Sequence, residues 1–547
     1  MLMLAVASFL ASGCTETESQ AQPAHDGPPE RGGTVFYGMY QQPPVINTKL
    51  VQGGMAAASV MVDPLMDAPI RANPDGTWYP VLIEGVPTLE NGMVDVGEER
   101  MEFTFRFREE AAWSDGMPVV CADFSFTWET HMDDRWMIRS REGWDLIEEI
   151  QCIDEKTTRV VLREHYAPFL STLLGGYVLP RHELEGKDFN KYWNAQMTVT
   201  NGPFRFKRWQ RNVMLELERD PNYWNRGEQE QPFLDGITFV FLKDVNSMKV
   251  QLRTGEIDII APPADSSLAE ELSTYPRADF MSEAGSFWEH FAFNHRNPPL
   301  DDVDVRTALP YAIDRRQITD AVMRRQVEPL QSTQLPAVER YYEPAWERFQ
   351  PDADKVAEHM TAAGFERQGQ WWTKDGKRVS LLMKTTAGNP LRMKVSQVLQ
   401  QQLRAQGFDM RIQMETAEVF FGQTTGQGTY DIGVWAWGSG VDPSQKLLFT
   451  CDQIPTKSNE FRGNNKYGYC NEEVDRLFDQ ADAELDDTRR AELTREIQRL
   501  MADDAVLMPV FQQPETIAYS HSVYGIEQNV VGGLFWRIGQ WYTVVAR

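Results

Sequence analysis

Residues 381–414 read LLMKTTAGNPLRMKVSQVLQQQLRAQGFDMRIQM, and they hold a strand, a helix and a second strand in that order. Leu381 to Lys384 is a short, mainly apolar run of the kind a buried strand requires. Leu391, Val395, Val398, Leu399 and Leu403 then recur at helical spacing and share one face, and Gly407 follows as a natural helix terminator. Phe408, Met410, Ile412 and Met414 alternate with polar neighbours at the strand period. Two strands joined by a helix pair in parallel with a right-handed crossover, so this stretch places the chain in the α/β class.

Outward from this unit both periods recur. MEFTFRFR at 101–108 alternates Phe103, Phe105 and Phe107 with Thr104, Arg106 and Arg108. Val213, Leu215 and Leu217, then Ile237, Phe239 and Phe241, mark two more strands. Leu493, Ile497, Leu500 and Met501 predict a helix from about Thr488, running into Pro509 and the strand-like Val510 and Phe511. Val305, Leu309, Ala312 and Ile313 also fit a helix, with Pro310 expected to kink it.

The 547 residues are enough for two or three compact units, and 42% hydrophobic with 11% aromatic residues is the composition of a folded chain. Fifty-four basic against 80 acidic residues give a formal charge of −26, which repels phosphate backbones, so nucleic acid is not an expected partner. The first thirteen residues, MLMLAVASFLASG, are an apolar run too short to cross a bilayer and read as an export signal. Residues 15–31 are polar and rich in Pro and Gly, as suits a flexible tether. Beyond Cys14 there are four cysteines, Cys121, Cys152, Cys451 and Cys470. Three pairings exist; the local ones, Cys121 with Cys152 and Cys451 with Cys470, lose least entropy on closure, and an oxidising exterior permits both.

Enzyme signatures are missing: there is no HExxH, no GxxxxGK[ST] and no GxGxxG between strand and helix. Ser439 lies in WGSG, but Trp437 stands where a nucleophile elbow needs glycine. The eight histidines show no metal-ligand spacing, so neither a metal nor a cofactor is expected. A secreted hydrolase using two of the many carboxylates is the enzyme alternative, without a specific motif behind it.

An ordered set of segments does carry identity. WSDGMPVVCADFSFTW (113–128) comes first, then VLPRHEL (178–184), TNGPFRF (200–206), LERDPNYW (217–224) and LRTGEIDII (252–260). FNHRNPPLDDVDVRTALPYAIDR (293–315), PDADKVAEHMTAAGF (351–365), YDIGVWAW (430–437) and NEEVDRL (471–477) follow. Together they resemble extracellular solute-binding family 5 of ABC importers, the peptide, oligopeptide and nickel-binding group. Leu10 to Cys14 likewise resembles a lipobox, with Cys14 as the lipidated residue, although the leucine stands one place further from the cysteine than usual.

The resemblance implies a two-lobed clamp like the periplasmic binding proteins (class II type, cluster C) with an additional subdomain. Lobe I would take 32–70, 176–285 and 505–547, the extra subdomain 71–175, and lobe II 286–504. It implies a monomer, exported to the periplasm or cell surface and held by a lipid anchor, that passes a small solute to permease subunits without altering it. A peptide is the expected ligand and an oligosaccharide the alternative. In peptide-binding members an aspartate soon after the turn holds the ligand's α-amino group; here that place is taken by Ser439 or Gly440, and Asp442 matches the later Asp-Pro element. Either Asp442 or another carboxylate substitutes, or the ligand lacks an amino terminus, as an oligosaccharide does, and stacks on Trp435 and Trp437. Asn294, Tyr40 and Gln42 fall in segments expected to border the ligand.

Overall fold

The structure is a computed structural model that describes residues 27–227, 230–263 and 267–544. Cys14 and most of the tether lie outside the described residues.

The strand–helix–strand unit forms as Ser380–Thr386, Pro390–Ala405 and Asp409–Glu415, with the strands parallel from Ser380 opposite Asp409 to Thr386 opposite Glu415. Asn389 caps the helix by accepting the Arg392 N–H, and Pro390 occupies the first turn, where a missing N–H costs nothing. Leu399 and Leu403 are wholly buried on its inner face, a burial that stabilises by about 1.5–3 kcal/mol per side chain.

These strands form one edge of a ten-stranded sheet. Its order is Asp409–Glu415, Ser380–Thr386, Ile432–Gly438, Ala278–Phe293, Leu507–Ser520, Ile259–Ile260, Thr34–Met39, Gly236–Phe241, Met214–Arg219 and Phe204–Gln210. A separate four-stranded sheet contains Val94–Val96, Met101–Arg106, Thr157–Leu162 and Ile147–Cys152.

Two cores flank the centre of the large sheet. One gathers Trp288, Trp346, Leu399, Met410, Trp435 and Phe511, the other Val35, Phe103, Trp113, Phe239, Ile517 and Trp541. The long strands Ala278–Phe293 and Leu507–Ser520 run antiparallel from one core to the other, with their register broken between Ala284 and Trp288. Gly285 is required at the break, because a Cβ there would stand 2.7 Å from the Gln513 carbonyl oxygen. Leu507, Met508, Val510 and Phe511 belong to the first core and Ile517 to the second, so the chain crosses inside this strand, beyond the boundary expected at 505. An unbroken strand pattern holds no local mark of that crossing.

The expected kink at Pro310 does not interrupt the helix, which spans Val303–Ala312. Pro310 stands in the last turn, and the Ile313 N–H closes back on its carbonyl at 3.3 Å, so the proline accompanies the helix end. The cysteines are joined as Cys121–Cys152 and Cys451–Cys470. No helix among the described residues is long and apolar enough to cross a membrane.

Candidate functional site

The 113–128 segment is a scaffold. Gly116 takes φ +88° in the turn, the Met117 N–H donates to Asp115 Oδ1 at 3.1 Å, and Asp123 accepts from Trp113 Nε1 at 3.0 Å, Val120 N and Arg181 N. One buried carboxylate thereby ties a turn, a helix start and a distant segment together.

The region between the lobes begins where Ile432–Gly438 meets Ala278–Phe293. Trp435 stands opposite His290 and Trp437 opposite Trp288, so both indoles share a face of the strand. Trp435 is 1% exposed and is enclosed by His290, Phe420, Tyr430 and Tyr467; it is a core residue, which corrects its expected role as a stacking surface. Trp437, two residues nearer the cleft, is half-buried. Its Nε1–H donates to the Tyr467 oxygen at 2.9 Å, and the Tyr467 hydroxyl is hydrogen-bonded to His290 Nε2 at 2.8 Å. Burial lowers the His290 pKa to about 3, so the imidazole stays neutral.

Past Trp437 the chain turns. The Ser439 N–H donates to the Ser286 carbonyl at 2.9 Å, and its hydroxyl is buried without a hydrogen-bond partner among the described residues. Asp442 does not present a free carboxylate: Arg490 grips both of its oxygens, Nη1 to Oδ2 at 2.9 Å and Nη2 to Oδ1 at 2.8 Å. That bidentate pair corrects the expectation that Asp442 could replace the missing aspartate. Asn294 is corrected too. It is fully buried within lobe II, donating to the Gly428 and Tyr430 carbonyls at 2.9 and 2.7 Å and accepting from Arg296 Nε at 3.0 Å.

From lobe I, Tyr40 is half-buried at the end of the first strand, facing the pair that Arg392 makes with Glu289. Burial raises its pKa, Arg392 opposes that rise and Glu289 adds to it. Gln42 holds a turn, accepting the Asn212 N–H at 2.6 Å. The lobes also touch directly, the Ala167 N–H donating to the Asp482 carbonyl at 2.7 Å. Beside that contact Glu142, from the Val35-side lobe, faces Asp482, Asp442 and Lys446.

Two features escaped the sequence reading. Phe287 is 41% exposed beside the hinge break, opposite Gly438; its place in an aromatic run was the only available signal. The Glu142–Asp482 approach joins residues far apart in sequence, with no motif to mark it. Among the described residues no cluster of His, Cys, Asp and Glu suits a metal ion.

This geometry, two cores hinged on a pair of through-running strands, has close counterparts. The chain is 24% identical over 474 residues to the oligopeptide-binding protein OppA of Bacillus subtilis, covering 82% of this chain and 84% of that protein. It is likewise 24% identical over 435 residues to the periplasmic oligopeptide-binding protein OppA of Salmonella typhimurium, covering 75% and 76%. Among solved structures, the oligopeptide-binding protein AppA of Bacillus subtilis, in complex with a nonapeptide, superposes with a TM-score of 0.82 at 20% identity, over 94% of this chain and 100% of that one. The periplasmic EDTA-binding protein EppA gives 0.82 at 21% identity, over 94% and 97%. Residues 78–455 match the family model described as bacterial extracellular solute-binding proteins, family 5, middle. The chain belongs to the bacterial extracellular solute-binding proteins of family 5.

Proposed function

We propose that this protein captures a peptide between its lobes by hinge closure and presents the closed form to the permease of an ABC importer. The observation that carries the reading is the pair of long antiparallel strands joining two separate cores, with a break at Gly285–Phe287. Rotation at such a hinge changes few packed contacts within either lobe. A ligand touching both lobes then favours closure by its differential affinity for the closed state. The oligopeptide-binding names of the relatives favour a peptide. The lobes divide within the strand Leu507–Ser520, and the ligand is held without chemical change. Trp437, Phe287, Ser439 and Tyr40 line its path, with Gln42 bracing the edge. The chain is exported and tethered through lipidated Cys14 as a monomer.

Purified protein freed of ligand by unfolding and refolding should be stabilised by mixed peptides and unmoved by oligosaccharides in thermal unfolding. Trp437→Ala should weaken peptide binding by about tenfold, as loss of an aromatic contact does. Stabilisation by oligosaccharides alone would replace the peptide reading, and no stabilisation by either would sink the transport role. Mass spectrometry of membrane-extracted protein should find an acylated Cys14; an unmodified N-terminal segment would remove the anchor.

A further inference from the structure

A small three-stranded sheet of lobe II, Glu366–Gln368, Trp371–Lys374 and Lys377–Arg378, gathers cations that ligand capture does not use. Lys374 stands opposite Lys377 across the turn at Asp375 and Gly376. On one face the Arg378 and Arg404 guanidinium groups lie 4.8 and 5.8 Å from the centre of the half-buried Trp371 ring. On the other, that of Arg367 lies 5.2 Å from the Trp372 ring centre, and Arg367 donates to the Gln406 carbonyl at 2.6 Å. Arg411 follows on Asp409–Glu415, the edge strand of the ten-stranded sheet, on the same side as Asp409, which Arg378 reaches at 3.2 Å.

Between Glu366 and Arg411 the chain has nine Lys and Arg against three Asp and Glu, in a molecule whose formal charge is −26. Elsewhere, exposed arginines such as Arg31, Arg100, Arg489 and Arg537 each have a carboxylate at 2.8–3.2 Å. Here Arg367, Lys377, Arg404 and Arg411, all exposed, have none among the described residues. With 80 acidic residues in the chain, the gap is no shortage of partners. Charge on an edge strand also deters pairing with another sheet, but Arg367, Lys377 and Arg404 do not lie on that strand. The patch stands at the far end of lobe II. It adjoins Ser380 and Asp409, where the two parallel strands begin; they end at the hinge side, where Thr386 meets Arg392 and Arg392 meets Glu289.

We propose that Trp371, Arg367, Lys377, Arg404 and Arg411 form a docking face for an anionic phospholipid surface. The guanidinium and ammonium groups offset headgroup phosphates, and an indole with an apolar body and a polar N–H suits the headgroup boundary. This rests on the reading that the chain is exported and tethered through Cys14. Twelve residues separate Cys14 from Gly27, which at about 3.5 Å per residue keeps the folded body within about 45 Å of its anchor. The surface within reach is therefore the bilayer itself. At physiological salt the screening length is about 8 Å, so acidic residues elsewhere on the body do little against a contact made here. Docking by this face sets the orientation of lobe II on the membrane and leaves the cleft untouched.

The test sediments the mature chain carrying Cys14→Ser, so that no acyl group holds it, with vesicles of phosphatidylcholine alone and of phosphatidylcholine with equimolar phosphatidylglycerol. The phosphatidylglycerol vesicles should bind the protein about tenfold or more tightly, and the gain should vanish at about 1 M salt, where the screening length is about 3 Å. Lys377→Gln/Arg404→Gln/Arg411→Gln should lower that binding by about tenfold or more, since each cation at an anionic surface contributes about fivefold. Arg31→Gln/Arg100→Gln/Arg489→Gln makes the same change in net charge at paired positions and should bind as the wild type does. Should the first triple variant fail to fold, Lys377→Glu, at an exposed position of a two-residue strand, carries the comparison. Equal binding to the two vesicles, or a gain that both triple variants lose alike, overturns the face. Patch-dependent binding to soluble polyphosphate without binding to vesicles makes the partner a polymer and overturns the membrane assignment. An unmodified Cys14 in the extracted protein removes the tether by itself, and the vesicle result still decides the patch.

Discussion

Arg392 Nε stands 2.8 Å from Glu289 Oε1, joining the helix Pro390–Ala405 to the strand that runs between the lobes, and Glu289 is wholly buried. Arg392 Nη1 also donates to Thr386 Oγ1 at 2.9 Å, and Gln513 Nε2, from the other long strand, donates to Glu289. A buried carboxylate with this many donors fixes two lobe II elements to the hinge. Tyr40 of lobe I feels both charges, so the pair lies where the lobes meet.

Arg392→Met leaves Glu289 buried without its cation and should destabilise the protein by about 3–5 kcal/mol. Adding Glu289→Leu removes the stranded charge and should recover more than half of the loss. Urea unfolding followed by near-ultraviolet circular dichroism measures both. A double variant no more stable than the single one would show that the pair's partners, rather than its charge balance, carry the effect.

The Glu142–Asp482 approach predicts a specific pH dependence. Burial, then repulsion from Asp482 and Asp442 against the pull of Lys446, raises Glu142 to about 8. Burial and then Asp442 raise Asp482 to about 7, with Ser444, Arg490 and Lys446 opposing. Tyr166 also faces both carboxylates, and Asp145 faces Glu142. The native state therefore binds more protons than the unfolded chain from the ordinary carboxylate range up to about pH 8, so these groups lower stability as pH rises through that window. The buried neutral histidines His131 and His290, held near 3, act in the opposite sense below about pH 6.5. Stability should thus fall between about pH 6.5 and 8. Glu142→Gln/Asp482→Asn should flatten that limb in thermal unfolding, and an unchanged slope would refute the assignment.

The two disulfides should separate stability from binding. Replacing Cys451 and Cys470 with serine frees a loop of sequence separation 19 and should cost about 3 kcal/mol. That loop carries Tyr467, the partner of the Trp437 indole, so ligand affinity should fall as well. Replacing Cys121 and Cys152, which close a separation of 31 in the other core, should cost a similar amount of stability and lower affinity less, because that loop holds none of Tyr40, Phe287, Trp437 and Tyr467. Calorimetry and thermal unfolding on both variants make the comparison; equal affinity losses would detach the loop from the site.

Much of the fold is legible because it depends on neighbours in the chain. Leu391 to Leu403 form a helix and Phe103 to Phe107 a strand because side-chain period and backbone geometry are coupled within a few residues. The site is legible only where chain order matters: Trp437 follows from its strand, while Trp435 at the same period is sealed in the core. Which of two equivalent indoles meets the cleft depends on where Phe420, Tyr430 and Tyr467 arrive, and periodicity carries no information about that.

By itself, then, the sequence determined the α/β class, the strands and helices around residues 381–414 and the family resemblance, all of which rest on local pattern and its order. The tertiary structure alone decided that Asp442 belongs to Arg490, that Asn294 is a buried tie, and that Glu142 meets Asp482. Each is a meeting of distant segments whose energy comes from desolvation and charge in three dimensions, which leave no period along the chain.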